Sequence, residues 1–173
     1  GEEALQDLQQ MTQRLHTMVQ RFLGDEQPTR HPLDLGVLVQ QVVGPMHREA
    51  RRKNRTVRIE VQPVSVVGSR EQLGRVVSNL VSNALKYSTA EIHVEVARVE
   101  DEAVLWVRDD GPGLPDELGD QIWEPGTQAS DALPGQGLGL AIVKRLVDGH
   151  SGTVSAENAQ RGAVFTVRLP AVS

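Results

Sequence analysis

The chain has 173 residues, 39% of them hydrophobic, enough for one packed domain with an appendage but not for two full domains. Eighteen Lys and Arg against 23 Asp and Glu leave a net charge of −5, so no general attraction draws it to nucleic acid or to an anionic membrane. With no Cys, disulfide and thiolate chemistry are excluded, and no apolar run reaches the ~20 residues that a bilayer span requires.

Gly1 in place of Met predicts a piece of a longer protein. Ala4, Leu8, Met11, Leu15, Met18 and Phe22 step by alternating fours and threes, a heptad seam. A lone helix with such a seam has nothing to bury it against. Pairing in a homodimeric bundle, or packing on its own domain, would cover it. Gly24 to Pro28 reads as a polar linker, dividing the chain into an arm, 1–27, and a domain, 28–173.

Pro32 to Glu49 predicts a short extended entry and then a helix carrying Leu35, Leu38, Val39, Val42 and Val43. The basic cluster Arg48 to Arg55 has no aromatic neighbours and reads as a solvated helix end, not a nucleic-acid surface. Thr56 to Val61 alternates as a strand, and Val64 to Val67 forms a shorter one after Pro63.

The next helix is the most informative. Leu73, Val76, Val77, Leu80, Val81 and Ala84 gather on one face at 100° per residue, while Gln72, Arg75, Asn79, Asn83 and Lys86 line the other. Asn costs about 0.5–0.7 kcal/mol relative to Ala inside a helix, because its amide competes for backbone hydrogen bonds. Two on one stripe either simply face water or have a use, and carbonyl oxygens there could ligate a hard cation.

Glu91 to Val96 and Ala103 to Val107 are two further strands. Asp109 to Gly137 has no sustained periodicity and is dense in Gly, Pro and acid, the composition of a lid or binding element. Leu138 to Val147 reads as a helix closed near Gly149. Gly152 to Ala156 and Ala163 to Leu169 read as strands around a turn at Asn158 to Gly162. Helices interspersed among strands predict helices stacked on one sheet.

Asp109-Asp110-Gly111-Pro112-Gly113 ends one strand, and Gly135-Gln136-Gly137-Leu138-Gly139-Leu140 follows the lid. Glycines admit a close backbone approach, and free amides at a helix start attract anions, so a phosphate chain suits the second motif. A dinucleotide fingerprint is disfavoured, because Leu140 stands where its third glycine belongs and no strand precedes Gly135.

The order of Asn helix, DxGxG, long lid, GxGLGL and a closing GAVFTVRLP, over His31 to Pro170, resembles the catalytic ATP-binding domain of sensor histidine kinases. These belong to the wider gyrase, Hsp90, histidine kinase and MutL superfamily. The resemblance implies an α/β (α+β) two-layer sandwich of the Bergerat type: a mixed five-stranded sheet with helices on one face, preceded by an N-terminal helix. The arm is similar to the second helix of the family's dimerisation domain. By position, Asn83 matches the Mg²⁺-binding Asn and Asn79 the Asn one turn earlier. Lys86 would meet phosphate and Tyr87 would border the nucleotide. Asp109 matches the carboxylate that takes the adenine amino group, with Gly111 and Gly113 shaping the pocket wall. Ile122-Trp123-Glu124-Pro125 occupies the F box, and Gly135, Gly137, Leu138, Gly139 and Leu140 the G2 box. Thr166 lies where the family often places a polar contact on the base side. His150 matches a recurrent His at a helix end, and its expected role is structural.

The implied activity is transfer of the γ-phosphoryl of MgATP to a His on a dimerisation helix of the same or partner subunit, for relay to a response regulator. The parent would be a homodimer, membrane-anchored, with this domain in the cytoplasm. None of His16, His31, His47, His93 or His150 lies in a His-Glu-Leu-Arg-Thr-Pro setting, so no autophosphorylation is expected of the chain alone. Residues 110–143 contain no Lys or Arg, where the family commonly has one facing the phosphates, which predicts weak ATP binding or slow transfer. The alternatives are a nucleotide-binding regulatory module without transfer, an anti-sigma-type serine kinase, and an ATP-driven clamp like Hsp90 or MutL.

Overall fold

The computed structural model describes residues 1–25, 28–115, 119–124 and 139–173, the side chains of 20–25 excepted. The first helix, α1 (Glu2–Asp25), carries the heptad seam. Leu8, Met11, Leu15 and Met18 are each between 58% and 69% exposed, so the seam is not covered by the chain's own domain.

A short strand, β1 (His31–Asp34), runs straight into α2 (Leu35–Val43), where the Asp34 carboxylate caps the helix by accepting from the Val37 N–H at 3.1 Å. The helix ends at Val43, short of the Glu49 expected. Pro45 sits in a 3₁₀ turn (Gly44–Met46), and helix resumes only as α3 (His47–Arg52), because proline lacks the N–H and clashes with the preceding turn. Strand β2 (Thr56–Val61) follows, and β3 (Ser65–Gly68) pairs antiparallel with β1 as a separate two-stranded ribbon.

Helix α4 (Arg70–Tyr87) starts at Ser69, whose hydroxyl accepts from the Gln72 N–H at 3.1 Å. It buries all six predicted apolar residues and also Leu85. Strands β4 (Glu91–Val99) and β5 (Glu102–Asp109) are longer than their alternation indicates, because antiparallel pairing continues to Val99 opposite Glu102. Glu100, at φ 54°, takes the left-handed conformation that closes this hairpin. A 3₁₀ turn (Gly119–Trp123) interrupts the segment read as loop. Helix α5 (Gly139–Gly149), β6 (Thr153–Asn158) and β7 (Ala163–Pro170) complete the chain.

The main sheet has the order β2-β4-β5-β7-β6. β2 and β4 are parallel and the other neighbours antiparallel, so this is the mixed five-stranded sheet expected. A parallel pair needs a crossover, and the stretch containing α4 supplies it, placing that helix across the sheet. Ile92, Val94 and Val96 of β4, Ala103, Leu105 and Val107 of β5, and Phe165, Val167 and Leu169 of β7 form the face that packs on the helices. Burying each large side chain stabilises the fold by about 1.5–3 kcal/mol. The alternate residues, including His93, Glu95, Trp106 and Arg108, occupy the other face.

Candidate functional site

Three elements converge where the motifs lie: the polar stripe of α4, the end of β5 with its glycine loop, and the start of α5. Asn79 and Asn83, four residues apart, are both half-buried. The Asn79 amide nitrogen donates to the Gly139 carbonyl at 3.3 Å, tying α4 to the first residue of α5 and leaving the Asn79 oxygen free to accept. Asn83 makes no side-chain hydrogen bond among the described residues. Lys86 places its ammonium 4.8 Å from the centroid of the Tyr87 ring, a cation–π contact at the end of the helix.

Asp109 is 7% exposed, at the last position of β5. Its Oδ1 accepts from the Gly111 N–H at 2.9 Å, and its other oxygen remains an acceptor. Burial pushes its carboxyl above the ordinary 3.8; the Gly111 and Ala163 amides oppose this, and the neighbouring Asp110 charge adds to it. The glycines are there for close packing. A Cβ on Gly111 would strike the Tyr87 carbonyl, and one on Gly113, at φ +82°, would lie 2.7 Å from Asn158 Oδ1.

Asp110 does different work from its neighbour. Its carboxylate accepts from the N–H groups of Thr89, Ala90 and Glu91 at 2.8–3.1 Å, joining the turn after α4 to the end of β5. Slight burial raises its pKa, but those backbone bonds outweigh it and hold the carboxyl below 3.8. The adjacent acids thus differ: Asp109 is buried beside the glycine loop, while the Asp110 carboxylate is consumed by the turn after α4.

Of the other expected residues, Leu140 is half-buried against the core, while Gly135, Gly137 and Leu138 lie outside the described residues. Ile122 is buried, and Trp123 packs edge-on against Phe165 at 6.0 Å between centroids, a packing role. Pro125 lies outside the described residues. Thr166 requires a correction. Its neighbour Phe165 pairs with Val107, which shares a sheet face with Asp109, so Thr166, opposite Trp106, lies on the far face. Strand parity removes it from the site.

His150 has the structural role expected. Its Nδ1 lies 2.8 Å from the Leu146 carbonyl and its Nε2 accepts from the Ser69 N–H at 3.1 Å, so the proton belongs on Nδ1 and the ring joins the end of α5 to the cap of α4. Sequence reasoning missed the bonding partners of the glycine loop, namely Asp110 and Asn158. Neither has a local signal, because their partners lie about 20 and 44 residues away. A crevice of about 290 Å³ between Leu114, Trp123 and β6 lies outside this constellation, since neither α4 Asn nor Asp109 lines it.

Residues 68–173, more than half of the chain, match the family described as histidine kinase-, DNA gyrase B- and HSP90-like ATPase. The chain belongs to that family. Its relatives are sensor histidine kinases, and it carries the ATP-binding catalytic domain of that type. It is 42% identical over 103 residues to the signal transduction histidine-protein kinase AfsQ2 of Streptomyces coelicolor, covering 57% of this chain and 19% of that one. It is 36% identical over 147 residues to the sensor protein kinase PmrB of Pseudomonas aeruginosa, covering 80% of this chain and 30% of that one. The solved structure of full-length ShkA in complex with AMPPNP superposes with a TM-score of 0.77 at 25% identity, over 85% of this chain and 32% of ShkA. The chain therefore spans only a fifth to a third of the length of these curated relatives.

Proposed function

We propose that this site binds MgATP between α4 and the start of α5, with adenine on Asp109, and delivers the γ-phosphoryl to a His on a dimerisation helix. The observation that carries the reading is the pairing of a half-buried amide stripe, tied to α5 through Asn79 and Gly139, with a buried carboxylate walled by glycines. The Asp109 oxygen not engaged by Gly111 accepts from the adenine amino group. The amides at the start of α5 and the Lys86 ammonium meet the phosphates.

The donors present fit Mg²⁺. It prefers hard oxygen ligands and few protein groups, and Asn83 offers an amide oxygen with no competing hydrogen bond among the described residues. Bound there with nucleotide, the ion would neutralise phosphate charge; the chain itself supplies orientation, which is most of what phosphoryl transfer needs. In the transfer, the acceptor imidazole nitrogen bonds to the γ-phosphorus as its bond to the β–γ bridging oxygen breaks; ADP leaves with that oxygen, and the imidazole N–H proton passes to solvent. The acceptor sits in a setting that none of the five His residues here has.

Residues 1–27 act as the end of the dimerisation helix with its linker and 28–173 as the catalytic unit. The exposed α1 seam supports a homodimeric parent, and it disfavours an anti-sigma-type serine kinase, which needs no such arm. The parent is a membrane-anchored kinase whose phosphate passes to a response regulator. The second reading, a nucleotide module without transfer, is favoured by the absence of Lys and Arg from 110–143.

Isothermal titration with Mg²⁺ and AMPPNP tests the site. The Asn83→Ala variant should lose Mg²⁺-dependent affinity while melting within about 2 °C of the wild type, because Asn83 is off the core face. Unchanged binding would remove Asn83 from the site.

A further inference from the structure

Asn158 ends β6, is exposed, and reads in the sequence as one residue of a turn. In the structure its carboxamide reaches across to the loop after Asp109 and satisfies both backbone groups of one residue. Its Oδ1 accepts from the Leu114 N–H at 2.6 Å and its Nδ2 donates to the Leu114 carbonyl at 3.0 Å. A side-chain amide presents a donor and an acceptor side by side, as a neighbouring strand would, and here it substitutes for one. The same turn closes on Asp109 from the other side. Ala159 N–H donates to the Gly162 carbonyl at 3.0 Å, and Gly162, at φ +77°, leaves no room for a Cβ, which would lie 2.8 Å from Asp109 Oδ1 and collide with its carbonyl. Gly113 is pressed between them, its Cβ position 2.7 Å from Asn158 Oδ1 and 3.3 Å from the Gly162 carbonyl.

The segment from Asp109 to Leu114 is thus held at both ends, at Asp109 by the tight fit of Gly162 and at Leu114 by Asn158. Asp110 anchors its middle to the turn after α4. Asn158 lies outside the core, since it is exposed. Its two bonds fix the far end of the loop, at Leu114, beyond the reach of the Asp110 anchor. Loss of such a bond costs little stability in water but restores freedom that a ligand must then remove on binding.

We propose that Asn158 is a positioning residue for the nucleobase end of the site, holding the Gly111–Leu114 wall so that Asp109 meets adenine without reordering. The inference rests on the nucleotide reading above. It is tested on the full chain by titrating MgAMPPNP into the wild type, Asn158→Ala and Asn158→Asp. Melting temperatures and amide hydrogen exchange are measured alongside. Asn158→Ala should weaken binding about tenfold, keep its melting temperature within about 2 °C, and speed exchange at Leu114 while leaving α4 unchanged. Asn158→Asp keeps an acceptor for the Leu114 N–H but faces its carbonyl with a second oxygen, so it should fall between the two. A dissociation constant for Asn158→Ala within about twofold of the wild type, or faster exchange throughout the domain, would overturn the proposal. If the wild type itself does not bind MgAMPPNP, the nucleotide reading fails and takes this inference with it. If the wild type binds and the variants match it, this inference fails alone.

Discussion

Asp109 and His150 are both buried titratable groups, and their ionisation acts on stability in opposite senses. Burial raises the Asp109 pKa, so the folded state holds its proton more tightly than the unfolded chain; the stability this gives is complete below pH 3.8 and is lost as pH rises through the folded value. At neutral pH the carboxylate is therefore kept at the expense of the fold. Asp109→Asn retains an acceptor for the Gly111 N–H, so its melting temperature at about pH 7 should equal or exceed that of the wild type, while AMPPNP affinity falls at least about tenfold through loss of a charged hydrogen bond. A lower melting temperature with unchanged affinity would make Asp109 structural. For His150, burial lowers the pKa from 6.5, the Leu146 carbonyl opposes this, and the Arg30 charge adds to the lowering. The unfolded chain then binds the proton first as pH falls, so the full contribution is present above 6.5 and declines below it toward the folded value. Thermal melts between about pH 7.5 and about pH 5.5 should show a loss in the wild type that is smaller in His150→Gln. Equal slopes would show that the Ser69–His150–Leu146 link does not report protonation.

At the scale of elements, α1 and α4 show how differently an amphipathic helix can be used. The α4 apolar stripe is buried in the core between the sheet and the other helices, and Asn79 and Asn83 of its polar stripe stay half-buried on the opposite side. The α1 stripe is left exposed, and a single helix with an uncovered seam is at best marginal in water. The chain should therefore self-associate through α1. Leu15→Glu, which puts a charge in the seam, should weaken that association at least about tenfold, read by sedimentation, without changing AMPPNP affinity. A monomeric wild type at every concentration would assign the seam to another partner. The same contrast explains what was legible. Periodicity located α2, α4 and α5 and six of the seven buried residues of α4. It could not separate a helix from a helix broken at Pro45, nor foresee how far the β4–β5 hairpin runs, because hairpin length is set by pairing.

For the whole molecule, the decisive property of the proposed site is its charge: the segment expected to face the phosphates carries no cation. Residues 110–143 carry no Lys or Arg, so on the proposed reading Lys86, Arg75 of the same α4 stripe, backbone amides and the ion balance the triphosphate. Affinity for MgAMPPNP should accordingly be micromolar or weaker, and a submicromolar constant would refute this account of the lid. Mixed with a dimerisation helix carrying the acceptor His and with radiolabelled ATP, the chain should place acid-labile label on that helix, and none on itself when alone. Absence of label in both cases would favour the binding-only module.

The sequence by itself determined the helix faces, the order of motifs and the chemistry they carry, because periodicity and glycine spacing are local and survive in one dimension. Tertiary structure alone decided which face of the sheet each strand residue takes, and so excluded Thr166 while joining Asn158 to Leu114 and Asp110 to the turn after α4. Those outcomes depend on which strands become neighbours and in what register, and cross-strand register is a property of pairs of segments that no single segment encodes.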